Sequence, residues 1–239
     1  MREIQINKKT FAVENDNAFW DGIENWEKQS FEILEKFADD GAVMLDVGAY
    51  NGVLSMYGSK LFNSVYSFEP DPVAYANMVN NIKLNNITNI NVANDAVSNI
   101  NGNMTLHMKN AGDSISSLID RPAQEYATLS TTDVRTIRLS EFIFNNISGR
   151  PIGLIKLDIE GGEIYVIPEM KDYISTYAPS MYISFHPNWF PEKDKSINEF
   201  VDILAATYNV FDINMVRRDY TYMVNCLYGT EHNFVFVSK

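Results

Sequence analysis

Short apolar segments alternate with amphipathic segments along most of this chain, and that alternation limits the possible folds more than any other feature. The apolar segments read as strands because each is short and bounded by polar or glycine residues. The five clearest cover 42–48, 64–70, 90–95, 154–160 and 181–186. Strands that alternate with helices of roughly 10–15 residues are typical of βαβ units and a parallel sheet. We therefore predict an α/β fold.

The segments between these strands carry helix start signals. Asp71 stands before Pro72, a pair that is typical of a capped helix start. Ser196 is likewise predicted to cap an amphipathic helix. The predicted helices cover 52–62, 72–85, 162–174 and 196–206.

Three regions depart from the alternation. No helical pattern separates the last two predicted strands, 210–215 and 233–237, so we expect them to be antiparallel neighbours. Residues 103–140 contain extra strand-like runs and predict a β insertion between the third and fourth strands, near the carboxyl edge of the sheet, where ligands bind in open α/β folds. Residues 1–40 predict an N-terminal helical extension, followed by one domain over 41–239.

The charge balance argues against several classes of partner. The chain has 239 residues, with 19 Lys+Arg against 31 Asp+Glu, which gives a net charge of −12. Duplex nucleic acid and anionic lipid both require a basic face, so neither is expected as a partner. Cys226 is the single cysteine, which excludes an internal disulfide and a cysteine-based zinc cluster. Without a secretory signal or an apolar run of about 18 residues, a cytoplasmic protein with no membrane span is predicted.

A turn containing two glycines follows the first predicted strand. Glycine allows a tight turn and the close approach of a ligand, and the N-terminus of the helix that follows favours a carboxylate or phosphate. The turn reads, in order, Asp46, Val47, Gly48, Ala49, Tyr50, Asn51 and Gly52.

Acidic residues also end the next two predicted strands. Glu69 comes 23 residues after Asp46, a spacing that suits a ribose diol because one carboxylate accepts hydrogen bonds from both hydroxyls. Asp95 stands where an acid or its neighbouring amides could meet an adenine amino group. The pattern therefore predicts an adenosine-type cofactor. S-adenosylmethionine (SAM) is favoured over a dinucleotide, because Tyr50 replaces the second glycine of a dinucleotide turn and Asp46 would repel a diphosphate.

Four segments resemble the FkbM family of SAM-dependent methyltransferases. The resemblance covers about residues 40–185 and implies the Rossmann-like class I methyltransferase fold, a seven-stranded sheet with its last strand antiparallel. It also implies O-methylation of a hydroxyl on a sugar or glycan, a glycolipid or a secondary metabolite, with S-adenosylhomocysteine (SAH) as product. The segments are LDVGA at 45–49 with Gly52, FEP at 68–70, LNN at 84–86 and, most specifically, IKLDIEGGE at 155–163.

The resemblance implies which residues hold SAM. Asp46 and the turn glycines would line its methionine end, Glu69 would hold the ribose, and Asp95 would lie near the adenine. The family usually has asparagine where this chain has Tyr50, and often an acid where it has Ser140, so no side-chain role carries over to either position. The predicted cofactor-binding set is Asp46, Gly48, Ala49, Tyr50, Asn51, Gly52, Glu69, Pro70, Asp95, Ala96 and Asp158.

The predicted fourth strand carries candidate catalytic residues. Lys156, Asp158 and Glu160 alternate with period two, so they are predicted to share one face of the strand. Three charges on a central parallel strand are costly to bury unless they are paired or functional. We interpret them as a charged rim where the methyl donor meets the acceptor. The alternative is a Lys156–Asp158 ion pair with Glu160 in solvent, and Glu163 could simply favour the helix dipole.

His186 ends the predicted fifth strand, where a neutral imidazole could accept the proton of the acceptor hydroxyl. A structural hydrogen-bonding role is the alternative. In the predicted mechanism the acceptor oxygen is aligned with the S–CH₃ bond, His186 or Asp158 is the base, and Lys156 orients the carboxylates or stabilises the oxyanion. A divalent cation such as Mg²⁺ or Mn²⁺ on Asp158, Glu160 and His186 is possible but not favoured, so no metal is predicted.

The sequence does not specify the acceptor or the oligomeric state. Trp189, Phe190, the 103–140 insertion and residues 217–222 could form a lid or simply pack. The two arginines of the last segment could meet a phosphate or pair with Asp219. We expect a small-molecule or glycan acceptor, and no nucleic acid. The alternative function is a nicotinamide-dependent oxidoreductase or a sugar-nucleotide-modifying enzyme on a Rossmann-like fold.

Overall fold

The computed structural model describes residues 1–14, 18–121, 128–147, 149–229 and 232–239. Parts of two predicted regions, residues 15–17 of the N-terminal extension and 122–127 of the insertion, lie outside this set.

The N-terminal segment begins with a β-hairpin. Strands β1 (Arg2–Ile6) and β2 (Lys9–Val13) pair antiparallel, and a 3₁₀ helix (Ala18–Asn25) and helix α1 (Lys28–Lys36) follow. The prediction of a purely helical extension is therefore wrong, because apolar residues alternate with polar ones in the first 13 positions and bury one face of the hairpin. The buried residues are Ile4, Ile6, Phe11 and Val13.

The remaining elements continue the predicted alternation of strands and helices. The strands are β3 (Asp39–Val47), β4 (Phe62–Phe68), β5 (Ile90–Ala93), β6 (Ala96–Ser98), β7 (Gly102–Met108), β8 (Ser130–Arg138), β9 (Ile152–Leu157), β10 (Met181–Ser184), β11 (Tyr208–Asp212), β12 (Arg217–Arg218) and β13 (Asn233–Ser238). The helices are α2 (Val53–Gly58), α3 (Pro72–Leu84), α4 (Leu139–Asn146), α5 (Glu163–Glu169), α6 (Lys171–Tyr177), α7 (Lys193–Ala205) and α8 (Tyr220–Leu227).

A central mixed sheet has the order β12-β11-β13-β10-β9-β3-β4-β5. Strands β5, β4, β3, β9 and β10 are parallel, and β13 is antiparallel to both β10 and β11. The predicted α/β class and the antiparallel C-terminal pair are confirmed. Val47 lies opposite Phe68 on one side and Leu157 on the other, so strands β3, β4 and β9 end at one level.

Several boundaries differ from the predictions. The sheet has an eighth strand, β12, because the Asp212 carboxylate holds a turn that folds Arg218 back beside Val210. Helix α8 lies between β11 and β13, where no helix was expected. Ser196 is not a cap, because helix α7 begins at Lys193.

The predicted helix over 162–174 is two helices, and the insertion has fewer strands than expected. Pro168 lies in α5, which ends at Glu169, and α6 begins two residues later, as expected where proline interrupts the helical ladder. In the insertion, β7 and β8 pair antiparallel and β6 adds parallel to β8. Residues 115–119 are not a strand and contribute one bridge between His107 and Ser117.

Two apolar clusters cover the two faces of the central sheet. One includes Phe185 and Phe200 with the C-terminal strands, and the other joins the N-terminal segment to Met44 and Tyr57. In the part of the chain that the structure describes, no helix has the length and apolar character needed to cross a membrane.

Candidate active site

A cavity of about 220 Å³ lies at the carboxyl ends of the parallel strands. It is lined by residues that follow or end β3, β4, β5 and β9, by residues of the insertion, and by the N-terminal segment. This position agrees with the rule that ligands bind outside the carboxyl ends of strands in open α/β sheets. Of the predicted cofactor-binding residues, the lining includes Asp46, Gly48, Ala49, Tyr50, Glu69, Pro70, Asp95, Ala96 and Asp158.

The turn after β3 forms the floor of the cavity. Gly48 has φ +82°, and a Cβ atom there would lie 1.8 Å from the Asp158 carbonyl oxygen, so only glycine fits. Gly52, also at positive φ, is the N-cap residue of α2. Asn51 is fully buried. These two residues belong to the turn, but they are not part of the cavity lining that the structure describes.

Glu69 is held with its carboxylate at the cavity wall. Its Oε2 accepts a hydrogen bond from the Tyr50 amide at 2.8 Å, and Oε1 accepts one from the Asp71 amide at 2.9 Å. Tyr50 itself has φ +50°, so the turn holds this residue in the left-handed region. Burial raises the pKa of Glu69 to about 7 despite these two bonds. The residue predicted to hold a ribose is therefore a fixed carboxylate at the cavity wall.

Asp46 lies beneath the turn and is completely buried. Ser55 donates a hydrogen bond to its Oδ2 at 2.5 Å, and Ser67 donates in turn to Ser55 at 2.8 Å. Burial raises the pKa of Asp46. The Lys156 ammonium is 3.7 Å from its Oδ1, so the acid is compensated by a cation and by a hydroxyl.

Asp95 lies just after β5 and is buried at the cavity wall. Arg135 of β8 binds both of its carboxylate oxygens, at 2.5 and 2.6 Å. This bidentate pair ties the insertion to the central sheet and fixes the carboxylate that is predicted to lie near an adenine.

Lys156 links the first and fourth strands of the parallel sheet. It is 4% exposed, donates a hydrogen bond to the Gly48 carbonyl at 2.9 Å, and lies 3.4 Å from Asp158 Oδ2. Although burial lowers its pKa, Asp158 and Asp46 outweigh that effect and raise it above the ordinary value. Lys156 therefore stays charged at any physiological pH. The Lys156–Asp158 ion pair and a position beside the cavity occur together, so the two interpretations of this pair do not exclude each other.

The predicted common strand face for Lys156, Asp158 and Glu160 is wrong. Strand β9 ends at Leu157, and Glu160 has φ +53°, so the chain turns before Glu160. All three nevertheless line the cavity. Glu160 is not in solvent: its Oε2 is 3.7 Å from Arg121 and its Oε1 is 3.4 Å from His186. Burial raises the pKa of Glu160 to about 7.

His186 is held by Glu163, whose importance the sequence did not reveal. Glu163 Oε1 is 3.1 Å from His186 Nδ1, and Oε2 accepts a hydrogen bond from the His186 amide at 3.3 Å. Burial lowers the pKa of His186, but Glu163, Glu160 and Asp158 outweigh it and raise the pKa to about 10. The ring is therefore an imidazolium near neutral pH, a state that does not support the predicted neutral base. Glu163 is fully buried, which is rare for a carboxylate without such partners.

Asp158, Glu160 and His186 each offer one ligand atom within 4.8 Å of one another. His186 Nε2 lies 3.6 Å from Asp158 and 3.4 Å from Glu160. The three residues form an ion-pair cluster, and a cation that bound there would have to displace the proton from Nε2. Metal binding at this cluster stays a hypothesis.

The N-terminal segment supplies one wall of the cavity. Phe19, Trp26 and Glu27 all line it, and the Phe19 and Tyr50 rings make an edge contact at 5.3 Å. Nothing in the sequence indicated this position for Glu27, because the residue precedes all the recognisable motifs. From the insertion, Ser116 and Leu118 line the same cavity.

Of the segments predicted as a possible lid, the insertion lines this cavity, whereas Phe190 and residues 217–222 are not part of the lining that the structure describes. Phe190 is buried in the core, and Arg217 donates a hydrogen bond to Asn209 at 2.6 Å on the far edge of the sheet. Arg218 pairs with Asp212 at 2.7 Å rather than with Asp219, which instead caps α8. Trp189 lies closer to the cavity than Phe190 and residues 217–222. Its ring is 5.0 Å from the guanidinium of Arg121, which in turn lies 3.7 Å from the cavity residue Glu160.

Comparison with known proteins decides the family. The family model described as the methyltransferase FkbM domain matches residues 46–222, which is well over half of the chain. The chain belongs to the FkbM methyltransferase family. Residues 46–222 are thus a SAM-dependent methyltransferase domain of the FkbM type, and the predicted resemblance and class I fold are confirmed.

Individual relatives of this FkbM chain are distant. The ribosomal protein L11 methyltransferase of Caldanaerobacter subterraneus subsp. tengcongensis is 34% identical over 87 residues, which cover 36% of this chain and 28% of the relative. The solved methyltransferase FkbM of Methylobacillus flagellatus KT is 17% identical, with a TM-score of 0.49 over 82% of this chain and 44% of that one. An rRNA methylase from Streptococcus thermophilus is 13% identical, with a TM-score of 0.49 over 89% and 95% of the two chains.

Proposed function

We propose that this protein is a SAM-dependent O-methyltransferase that acts on a hydroxyl of a small molecule or glycan. The observation that carries the proposal is the row of acids at successive strand ends around one cavity. Asp46, Glu69 and Asp95 are all held by hydrogen bonds or cations at its wall. Such a row suits a cofactor with a cationic centre, a ribose diol and an adenine amino group.

The orientation of SAM follows from these partners. Glu69 would accept hydrogen bonds from the two ribose hydroxyls, and Asp95 with Ala96 would lie beside the adenine. The Gly48–Tyr50 turn would follow the methionine end, so the sulfonium methyl would point toward Lys156 and Asp158. The product, SAH, would occupy the same site.

Methyl transfer needs little covalent help from the protein. The sulfonium carbon is already electrophilic, so alignment of the acceptor oxygen with the S–CH₃ bond supplies much of the rate enhancement. His186 is protonated, and we assign it an electrostatic role beside Asp158 and Glu160 rather than proton acceptance. Proton acceptance then falls to a carboxylate at the cavity.

Two measurements test this function. Isothermal titration with SAH and with NAD distinguishes a methyltransferase from the nicotinamide-dependent alternative, and we expect binding of SAH only. A labelled-methyl assay against a panel of glycans and hydroxylated metabolites then tests the acceptor class. Transfer to nitrogen acceptors alone would contradict the O-methyl proposal.

The hypothesis of a cation on Asp158, Glu160 and His186 has its own test. The same labelled-methyl assay is run after chelation and again with added Mg²⁺ or Mn²⁺. Equal rates in all three samples would exclude a metal requirement, and a rate that depends on the added cation would establish one.

A further inference from the structure

Glu27 occupies a backbone conformation that its residue type disfavours. It has φ +35° and ψ +51°, in the left-handed region, and is the residue before helix α1. Its side chain makes no capping hydrogen bond to that helix, and asparagine, serine or glycine would serve better there. Capping of the backbone amides of α1 therefore does not explain a glutamate at this position. Strained residues of this kind cluster at functional sites, where the surrounding structure holds them.

A chain of hydroxyls fixes the Glu27 side chain over the parallel sheet. Ser30 donates a hydrogen bond to Glu27 Oε2 at 2.9 Å, and its hydroxyl lies 2.8 Å from the Tyr182 hydroxyl on β10. Ser30 is completely buried, so this contact is well shielded from water. Glu27 is exposed as a residue, but it also lines the cavity beside Asp46, Lys156 and Asp158.

The charged groups that face Glu27 form ion pairs with other residues. Lys156 pairs with Asp46 and Asp158, and His186 pairs with Glu163, Glu160 and Asp158. Tyr182 on β10 adds a phenol that interacts with Glu27 electrostatically. The other acids are engaged too: backbone amides hold Glu69 and Arg135 holds Asp95.

Among the described residues, only Ser30 donates a hydrogen bond to the Glu27 carboxylate. Although the residue as a whole is exposed, its carboxylate loses water at the cavity wall, and this desolvation, followed by repulsion from Asp158, raises the pKa of Glu27. A carboxylate with a raised pKa and few donors is a better proton acceptor than one held by cations. Glu27 also lies outside the matched family domain of residues 46–222, so the N-terminal segment contributes it.

We propose that Glu27 is the general base of the reaction. Its carboxylate accepts the proton of the acceptor hydroxyl while the O–CH₃ bond forms and the S–CH₃ bond breaks. The electron pair of that bond stays on sulfur, which leaves neutral SAH, a methyl ether and protonated Glu27. This role rests on the proposed function, because it requires SAM in the cavity with its methyl group toward Lys156.

The test needs no acceptor. Sinefungin is a SAM analogue with an amine where SAM carries its methyl group, so it places a cation where Glu27 would meet the reacting atoms. Affinities for sinefungin and SAH are measured by isothermal titration for the wild type, Glu27→Gln and Glu27→Asp. Glu24→Gln is the matched control, because Glu24 is exposed in the same segment and is not part of the cavity lining that the structure describes.

We expect Glu27→Gln to reduce the preference for sinefungin over SAH by roughly tenfold or more, the effect of losing one charge-assisted hydrogen bond. SAH affinity should change less than twofold, and Glu24→Gln should keep the full preference. An unchanged preference, or equal weakening of both ligands, would overturn the base assignment. If Glu27→Gln does not fold, Glu27→Asp gives the same readout, since its shorter side chain should lose part of the preference. Failure of the wild type to bind SAH would instead reject the proposed function itself.

Discussion

At position 48 the backbone of the first turn passes against the segment that follows strand β9. The Gly48 carbonyl accepts the Lys156 hydrogen bond, and its Cα faces the Asp158 carbonyl. Position 48 needs a positive φ angle, and it also needs a residue without a side chain. Many surface turns need only the positive φ angle. A single residue therefore joins the turn after β3 to the charged residues at and just after the end of β9.

Gly48→Ala should damage both folding and cofactor binding. The new Cβ would lie 1.8 Å from a backbone oxygen, so the turn must move. We expect a loss of stability of several kcal/mol, above the roughly 1–2 kcal/mol of left-handed strain alone, and loss of SAH binding. Gly149→Ala is the control, because Gly149 has φ +81° and no described atom lies within 4 Å of the position that its Cβ would take. If urea unfolding shows the same loss of unfolding free energy in both variants, the close-contact argument is wrong.

Glu69 should couple cofactor binding to pH. Its pKa of about 7 in the free protein means that it holds a proton below that pH, whereas ribose hydroxyls bind the ionised form. SAH affinity should therefore fall as pH decreases below 7, by up to about tenfold per pH unit, and level off above it. The measurement is isothermal titration between pH 5.5 and 8 in buffers of different ionisation enthalpy.

Glu69→Gln supplies the comparison for that titration. This variant should bind SAH more weakly, by about 1.5–3 kcal/mol, and should lose the pH dependence. Glu32→Gln, on the exposed face of α1, should behave like the wild type. A pH profile that survives in Glu69→Gln would assign the proton to another group.

Helix α3 is joined to the insertion through its cap. Asp71 Oδ1 accepts hydrogen bonds from the Val73 and Ala74 amides, as its place before Pro72 predicts. Its Oδ2 accepts from the Gly112 amide at 2.7 Å and from the Ser116 hydroxyl at 3.2 Å. One carboxylate thus starts a helix and holds a loop that lines the cavity.

Asp71→Ala should cost more than the loss of an ordinary cap. Asp219→Ala removes a cap from α8, where the side chain accepts from the Tyr222 amide, and should cost about 1 kcal/mol. Asp71→Ala should exceed that cost and should also weaken SAH binding, because the 110–118 loop loses its attachment. Urea unfolding and SAH titration of both variants provide the check. If both variants lose the same free energy of unfolding and Asp71→Ala binds SAH normally, the role of Asp71 is helix capping alone.

On the scale of the whole molecule, the N-terminal segment shares a core with the sheet. Trp20 and Phe31 are buried in the same apolar cluster as Met44 and Leu154. The Phe31 and Tyr57 rings are 4.9 Å apart. Buried contacts of this kind couple the unfolding of the parts they join. The predicted boundary at residue 40 therefore separates two stretches of sequence that share one core, and not two parts that are each stable alone.

We predict that the segment and the sheet unfold together. Trp189→Phe leaves Trp20 and Trp26 as fluorescent reporters of the N-terminal segment, whereas a Trp20→Phe, Trp26→Phe double variant leaves Trp189 beside the site. In each variant, the tryptophan fluorescence transition in urea should coincide with the transition seen by circular dichroism. An earlier fluorescence transition in the Trp189→Phe variant would show that the segment unfolds independently.

Features that depend on neighbours in the chain were predictable. The strand and helix alternation follows from apolar periodicity, and the Asp71–Pro72 helix start follows from the chemistry of a single turn. Boundaries were less accurate, since strand β9 ends before Asp158 and the predicted 162–174 helix is interrupted near Pro168. Pro168 accounts for the interruption of the helix, whereas the end of β9 depends on its pairing with strands that are distant in the chain.

The sequence by itself determined the fold class, the family and the row of acids at the strand ends, because parallel strands must end at one edge. Only the tertiary structure decided the charge state of that edge. Glu163 keeps His186 protonated, and the N-terminal segment carries Glu27 to the cavity. The physical reason is that the affinity of a side chain for a proton depends on the charges around it and on its removal from water. The fold brings those charges together from distant parts of the chain.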